Sequence, residues 1–145
     1  MRRLRRVKKI KNEKITINLT PTEVGQIDYL VERGLYTNRS DFIRLAIRKQ
    51  TESHTGDINR FLAPEMPETE RLRYFGGLGF MRLTHAYVES LITFGAKVHI
   101  SVLGALTIDK AITREQLSQV MAGCKVYGKI FAEEEIKQLI KETAL

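Results

Sequence analysis

Residues 14–23 read Lys14-Ile15-Thr16-Ile17-Asn18-Leu19-Thr20-Pro21-Thr22-Glu23, and inside this stretch the apolar pattern changes character. Ile15, Ile17 and Leu19 alternate with Lys14, Thr16 and Asn18, so an extended backbone puts three apolar side chains on one face and three polar ones on the other. Thr20 to Glu23 then stops the strand and starts a helix. The Thr20 hydroxyl can accept from the Glu23 amide, Glu23 can reach back to the Thr20 amide, and Pro21 fits the first helical position. The helix carries Val24, Ile27, Leu30 and Val31 on one face and closes at Gly34, which suits a left-handed C′ position. A second start signal, Thr37-Asn38-Arg39-Ser40-Asp41, leads into Phe42, Ile43, Leu45, Ala46 and Ile47, with the helix expected to run to about Thr51. Residues 14–51 thus read strand, helix, short turn, helix.

Such a unit is incomplete by itself. A lone strand has no ladder partner, and so short a segment does not ordinarily enclose a core. A second copy solves both problems. Strands paired antiparallel between two chains would cover a shared four-helix core with Ile15, Ile17 and Leu19, leaving Lys14, Thr16 and Asn18 of both chains outward.

The outward trio Lys14, Thr16, Asn18, the capping box Thr20–Glu23 and the stretch Tyr36-Thr37-Asn38-Arg39-Ser40-Asp41 together resemble the ribbon-helix-helix DNA-binding domain of Arc-, MetJ- and CopG-type repressors, over residues 14–51. The resemblance implies an antiparallel β-ribbon lying in the DNA major groove, with the N-termini of the second helices gripping phosphates on either side. The expected fold class is α+β: an intertwined ribbon-helix-helix dimer followed by a small C-terminal α/β domain. Residue chemistry agrees. Asn18 can pair bidentately with adenine, Lys14 can reach guanine O6 and N7, and Thr16 can donate, accept or touch a thymine methyl. The plainer reading of the same trio is the solvent face of an edge strand, for which threonine is simply a good former. Thr37, Asn38, Arg39 and Ser40 lie where free amides and the helix dipole favour an anion, and they are expected to contact phosphate.

Charge is distributed very unevenly. Residues 1–14 contain eight basic side chains against Glu13 alone, which accounts for the whole net charge of +7. A basic arm, residues 1–13, ahead of a neutral body is the layout of a polyanion binder. Arg2, Arg3, Arg5, Arg6, Lys8, Lys9 and Lys11 are expected to track the DNA backbone. The alternatives are a solvated tail, an organellar presequence or a lipid-surface helix carrying Leu4, Val7 and Ile10, which lacks an aromatic anchor. No apolar run approaches the roughly 18 residues of a spanning helix, so no membrane is expected. Cys124 is the single cysteine, which excludes an intrachain disulfide framework and a cysteine-rich metal cage.

Residues 52–73 hold Gly56, Pro64 and Pro67 and read as a linker, with one helical turn near Asp57–Leu62. Over residues 74–145 short strands alternate with amphipathic helices: Leu78–Leu83 before Ala86–Phe94, Val98–Ile108 before Thr113–Ala122, and Val126–Phe131 before Glu133–Lys141. Gly95-Ala96-Lys97-Val98 and Gly123-Cys124-Lys125-Val126 recur 28 residues apart, and both glycines read as helix C′ residues. His85, His99 and Cys124 lack paired spacing and read as packing or surface residues. Nickel-responsive repressors join a ribbon-helix-helix domain to an α/β regulatory domain, but their close-set histidine pair is missing here. Gly76, Gly77 and Gly79 lack the strand-turn-helix context of a phosphate loop.

The expected function is a sequence-specific transcriptional regulator, a repressor, that binds double-stranded DNA as a homodimer, with residues 74–145 driving higher oligomerisation or regulation. No catalytic residues, cofactor or metal are expected, and the expected location is the cytoplasm, on the nucleoid. Alternatives from other classes are an antitoxin, a plasmid-partition DNA adaptor and a membrane-surface protein.

Overall fold

The computed structural model describes residues 12–62 and 71–143. The chain divides into two compact units, residues 1–51 and 52–145.

In the first unit, helix α1 spans Pro21–Glu32 and α2 spans Arg39–Glu52. The Thr20 amide donates to the Glu23 carboxylate at 2.7 Å and the Glu23 amide donates to the Thr20 hydroxyl at 3.3 Å, so the capping box is closed in both directions. At the other end Gly34 takes φ +74°, the Leu35 amide donates to the Leu30 carbonyl and the Gly34 amide to the Val31 carbonyl. That pair of bonds is a Schellman stop. Ile27 is the one buried residue of α1, and α2 has none. The apolar faces of these helices have therefore found no core within one chain.

The expected strand over residues 14–19 is not formed: residues 12–20 carry no regular secondary structure, and Ile15 is 80% exposed. The reason is the one that made the unit look incomplete. A strand is defined by a ladder, and a single chain supplies no second strand to pair with.

The second unit begins with helix α3, Thr55–Leu62, where one turn of a linker was expected. After it come β1 (Leu72–Leu83), α4 (His85–Phe94), β2 (Lys97–Ile108), α5 (Arg114–Val120), β3 (Met121–Phe131) and α6 (Glu134–Thr143). The strands form a parallel sheet in the order β1-β2-β3. Val98, Ile100, Val102, Leu106 and Ile108 of β2 share one core with Val88 and Leu91 of α4, Leu117 and Val120 of α5, and Ile136, Leu139 and Ile140 of α6. All three helices thus cover the same face. Each fully buried aliphatic in that core contributes about 1.5–3 kcal/mol relative to exposure. On the other face Phe61 of α3 meets Tyr127 edge-on at 5.3 Å.

Two details differ from the sequence reading. Strands β1 and β3 start earlier than expected, and Gly123 lies inside β3 opposite His99 rather than capping a helix. Helix α5 runs into β3 with no loop, because its C-cap Met121 is already extended (φ −77°, ψ 118°). Gly95 is a true left-handed C-cap (φ +62°). The 28-residue recurrence therefore pairs unlike positions. The register that the fold uses places Gly79, Gly104 and Gly128 side by side across the sheet. A Cβ on Gly104 would strike the Gly79 carbonyl, so close backbone approach requires glycine there.

Candidate nucleic-acid interface

Lys14, Thr16 and Asn18 are exposed, as are all of residues 12–20. Ile17 and Leu19 line an open apolar groove of about 400 Å³ with Ile27 of α1 and Phe42, Ile43 and Ile47 of α2, whereas Thr16 and Asn18 do not line it. Ile17 and Leu19 nevertheless remain 55% and 38% exposed.

The N-terminus of α2 is built by local hydrogen bonds. Asn38 caps it, its side-chain oxygen accepting from the Asp41 amide at 2.9 Å, and the Thr37 amide donates to the Asp41 carboxylate at 3.1 Å. The amides of Arg39 and Ser40 have no acceptor among the described residues and lie in the first turn, where orphan donors and the helix dipole favour an anion. Tyr36 packs edge-on against Phe42, ring centroids 4.9 Å apart, which fixes the turn leading into the helix.

Arg39 does something the sequence did not reveal. Its Nε and Nη2 donate to the two carboxylate oxygens of Asp28 at 2.6 and 2.7 Å, clamping the middle of α1 to the start of α2. The Arg39 hydrogen bonds hold the Asp28 carboxyl below the usual carboxylate range, and the Thr20 amide, with the Thr20 hydroxyl, does the same to Glu23. The Asp28–Arg39 pair joins residues 11 apart on different helices, and no local spacing signals such a contact. A guanidinium engaged on two nitrogens retains donors on Nη1, so the same side chain can orient the helix and still face a phosphate.

The arm residues Arg2, Arg3, Arg5, Arg6, Lys8, Lys9 and Lys11 lie outside the described residues.

In the second unit the polar singletons are absorbed by packing. His85 sits 3.6 Å from Glu89 and 3.3 Å from the Gln116 amide nitrogen, while His99 packs on Tyr74 with centroids 6.0 Å apart. Cys124 is in the core, where burial pushes its thiol up to about 11. Gly76, Gly77 and Gly79 are inside β1 and form no loop. Among the described residues no group of three or more His, Cys, Asp or Glu could hold a metal ion, and no helix is long and apolar enough to cross a membrane.

The comparisons bear on both units. The Ribbon-Helix-Helix transcriptional regulator family matches residues 10–137, from the end of the arm to the last helix. A transcriptional regulator, CdrS of Halobacterium salinarum, is 35% identical over 43 residues, covering 30% of this chain and 78% of that protein. No solved structure matches the chain. With its capping box, Schellman stop and paired amphipathic helices at one end and a family match that spans both units, the chain belongs to the ribbon-helix-helix transcriptional regulator family.

Proposed function

We propose that the chain is a sequence-specific, homodimeric regulator that reads duplex DNA through the major groove and acts as a repressor. One observation carries this reading: Ile17 and Leu19 reach an apolar groove that a single chain leaves open, while Lys14, Thr16 and Asn18 stand exposed beside them. Antiparallel pairing with a second copy closes the groove and completes the ladder, and the outward trio becomes six reading side chains on a ribbon of the width that the major groove accepts. Thr37, Asn38, Arg39 and Ser40 then position phosphates, and the arm adds affinity that is blind to sequence. Membership of a transcriptional regulator family supports the same assignment. The second unit, with its own buried core, serves regulation or higher assembly on the nucleoid; a partner-wrapping antitoxin tail would order only on binding.

Selection from a random duplex library tests this directly. The expected product is a pseudo-palindromic site bound by a dimer, occluding transcription when placed over a promoter. Recovery of no enriched sequence at moderate salt would refute sequence-specific reading.

A further inference from the structure

The second unit is built of three like turns. Its sheet order equals its chain order, both strand pairs are parallel, and α4, α5 and α6 cover one face. Such a unit is a short solenoid, in which each repeat touches only its neighbours and a terminal repeat without a cap exposes what a further repeat would cover. The sheet face turned away from α4–α6 is already taken, because α3 lies across β1 and β2 and Ser101 and Ala105 are buried there. The edges are another matter. Among the described residues β1 and β3 pair with β2 alone, so each keeps one edge without a ladder partner.

The two edges are unlike, and they fit each other. Gly79, Gly104 and Gly128 share one row of the sheet and one backbone kink, at φ +103°, +137° and +136°. A Cβ on Gly104 would strike the Gly79 carbonyl and a Cβ on Gly128 would strike the Gly104 carbonyl, so each carbonyl in the row points at the bare Cα of the next strand. Continued outward, this repeat aims the Gly128 carbonyl off the β3 edge. At the opposite edge a Cβ on Gly79 meets nothing within 4 Å among the described residues. One edge thus presents the carbonyl of the row, and the other presents the bare Cα that receives it.

The side chains agree with this polarity. Of the four large apolar side chains that the second unit leaves exposed among the described residues, Leu78 and Phe80 are on β1 and Tyr127 is on β3. Setting Gly128 beside Gly79 of a second copy puts Tyr127 beside Leu78, Ile130 beside Met81 and Phe131 beside Arg82. Strands β1 and β3 carry Arg73, Arg82, Lys125 and Lys129 and no acidic residue, and in this register none of the four lies opposite another. Like-with-like pairing fits worse. Antiparallel β3 edges centred on Tyr127 set Lys125 opposite Lys129, and centred on Gly128 they bring two carbonyls face to face. Paired β1 edges offer no carbonyl to either Gly79.

We infer, deepening the reading of the second unit as an assembly module, that successive copies join head to tail through it, the β3 edge of one pairing in parallel with the β1 edge of the next. The contact is heterologous, so each added copy presents a fresh edge and growth passes beyond a pair unless a ring closes. The duplex-reading head takes no part in this joint.

Sedimentation of the full chain over a wide concentration range tests the joint. Leu78→Lys and Tyr127→Lys replace side chains that are 74% and 58% exposed, so each variant should keep the circular-dichroism melting transition of wild type while placing a charge on one edge only. The average mass of wild type should rise with concentration past that of a dimer. Each variant alone should lose that rise and hold one small species. An equal mixture of the two should sediment above either component, because one keeps a native β3 edge and the other a native β1 edge. Phe80→Lys, a second change on β1, should behave as Leu78→Lys does and be complemented by Tyr127→Lys in the same way. Growth that survives in either single variant, or a mixture no larger than its components, overturns the head-to-tail joint while leaving assembly itself standing. A wild type of one constant mass overturns the joint and the assembly reading together.

Discussion

Asn18 and Cys124 show how differently two single side chains bear on this molecule. Asn18 is exposed and does not line the apolar groove. Its replacement by alanine should leave the fold intact and relax recognition at one position in each half-site, costing about 1–3 kcal/mol for the preferred base. Competition binding against single-base variants of the selected site measures this; unchanged affinity and specificity would remove Asn18 from the reading face. Cys124 is the reverse case. Its thiol is packed in the core of the second unit, and desolvation raises its pKa to about 11 from an ordinary 9.0. Because the folded value lies above the unfolded one, the protonated thiol stabilises the fold below pH 9, and that contribution is lost as pH rises from 9 towards 11. Thermal melting over this window should show a pH-dependent loss that is smaller in Cys124→Ala. At neutral pH the folded thiol should resist alkylation. Rapid modification of native protein by iodoacetamide would show that the core opens locally.

At the level of elements, residues 14–19 are a strand by pattern and irregular backbone in the single chain, and the proposed second copy would complete them. Ile17→Asp places a charge at the rim of the apolar groove, where the dimer would bury it without a partner. The variant should fail to dimerise and lose the helicity of the first unit, while the second unit still melts cooperatively. Sedimentation together with circular dichroism checks both halves of that expectation, and a dimeric, DNA-binding Ile17→Asp protein would refute the paired ribbon. Both helices of this unit were legible because their boundaries are chemical: Thr20–Glu23, Gly34 and Asn38 each satisfy specific orphan amides or carbonyls within a few residues. The Asp28–Arg39 clamp was not legible, since it depends on how two helices cross. In the second unit the alternation of strands and helices could be read from apolar periodicity, but strand ends could not. Strand β1 extends back through Gly76 and Gly77, residues with poor intrinsic strand preference that the parallel neighbour β2 holds in place. Gly123 misled for a related reason: a glycine after an amphipathic helix looks like a C′ residue, and only the sheet register shows that it makes room for the His99 ring.

Across the whole molecule, the proposed function divides between charge that reads nothing and shape that reads sequence. The full net charge of +7 resides in residues 1–14, and the rest of the chain taken together sums to zero, so long-range attraction to a polyanion belongs to the arm. In the proposed reading the first unit fixes register and reads bases, while the second unit places a cationic sheet back to back with an acidic helical layer. Deleting residues 2–11 removes seven positive charges and no residue of the capping boxes or cores. Affinity should therefore fall by a similar factor for specific and random duplexes, most strongly at low salt, with the selected sequence unchanged. Each neutralised phosphate contributes about −0.9 to the slope of log K against log salt. Loss of two or three arm contacts per chain would flatten that slope by roughly four to five units for a dimer. Anisotropy titrations at several salt concentrations supply the slope. If the deletion left it unchanged and instead erased a preference for A·T-rich flanks, the arm would be reading a narrow minor groove, and its assignment to backbone tracking would be wrong.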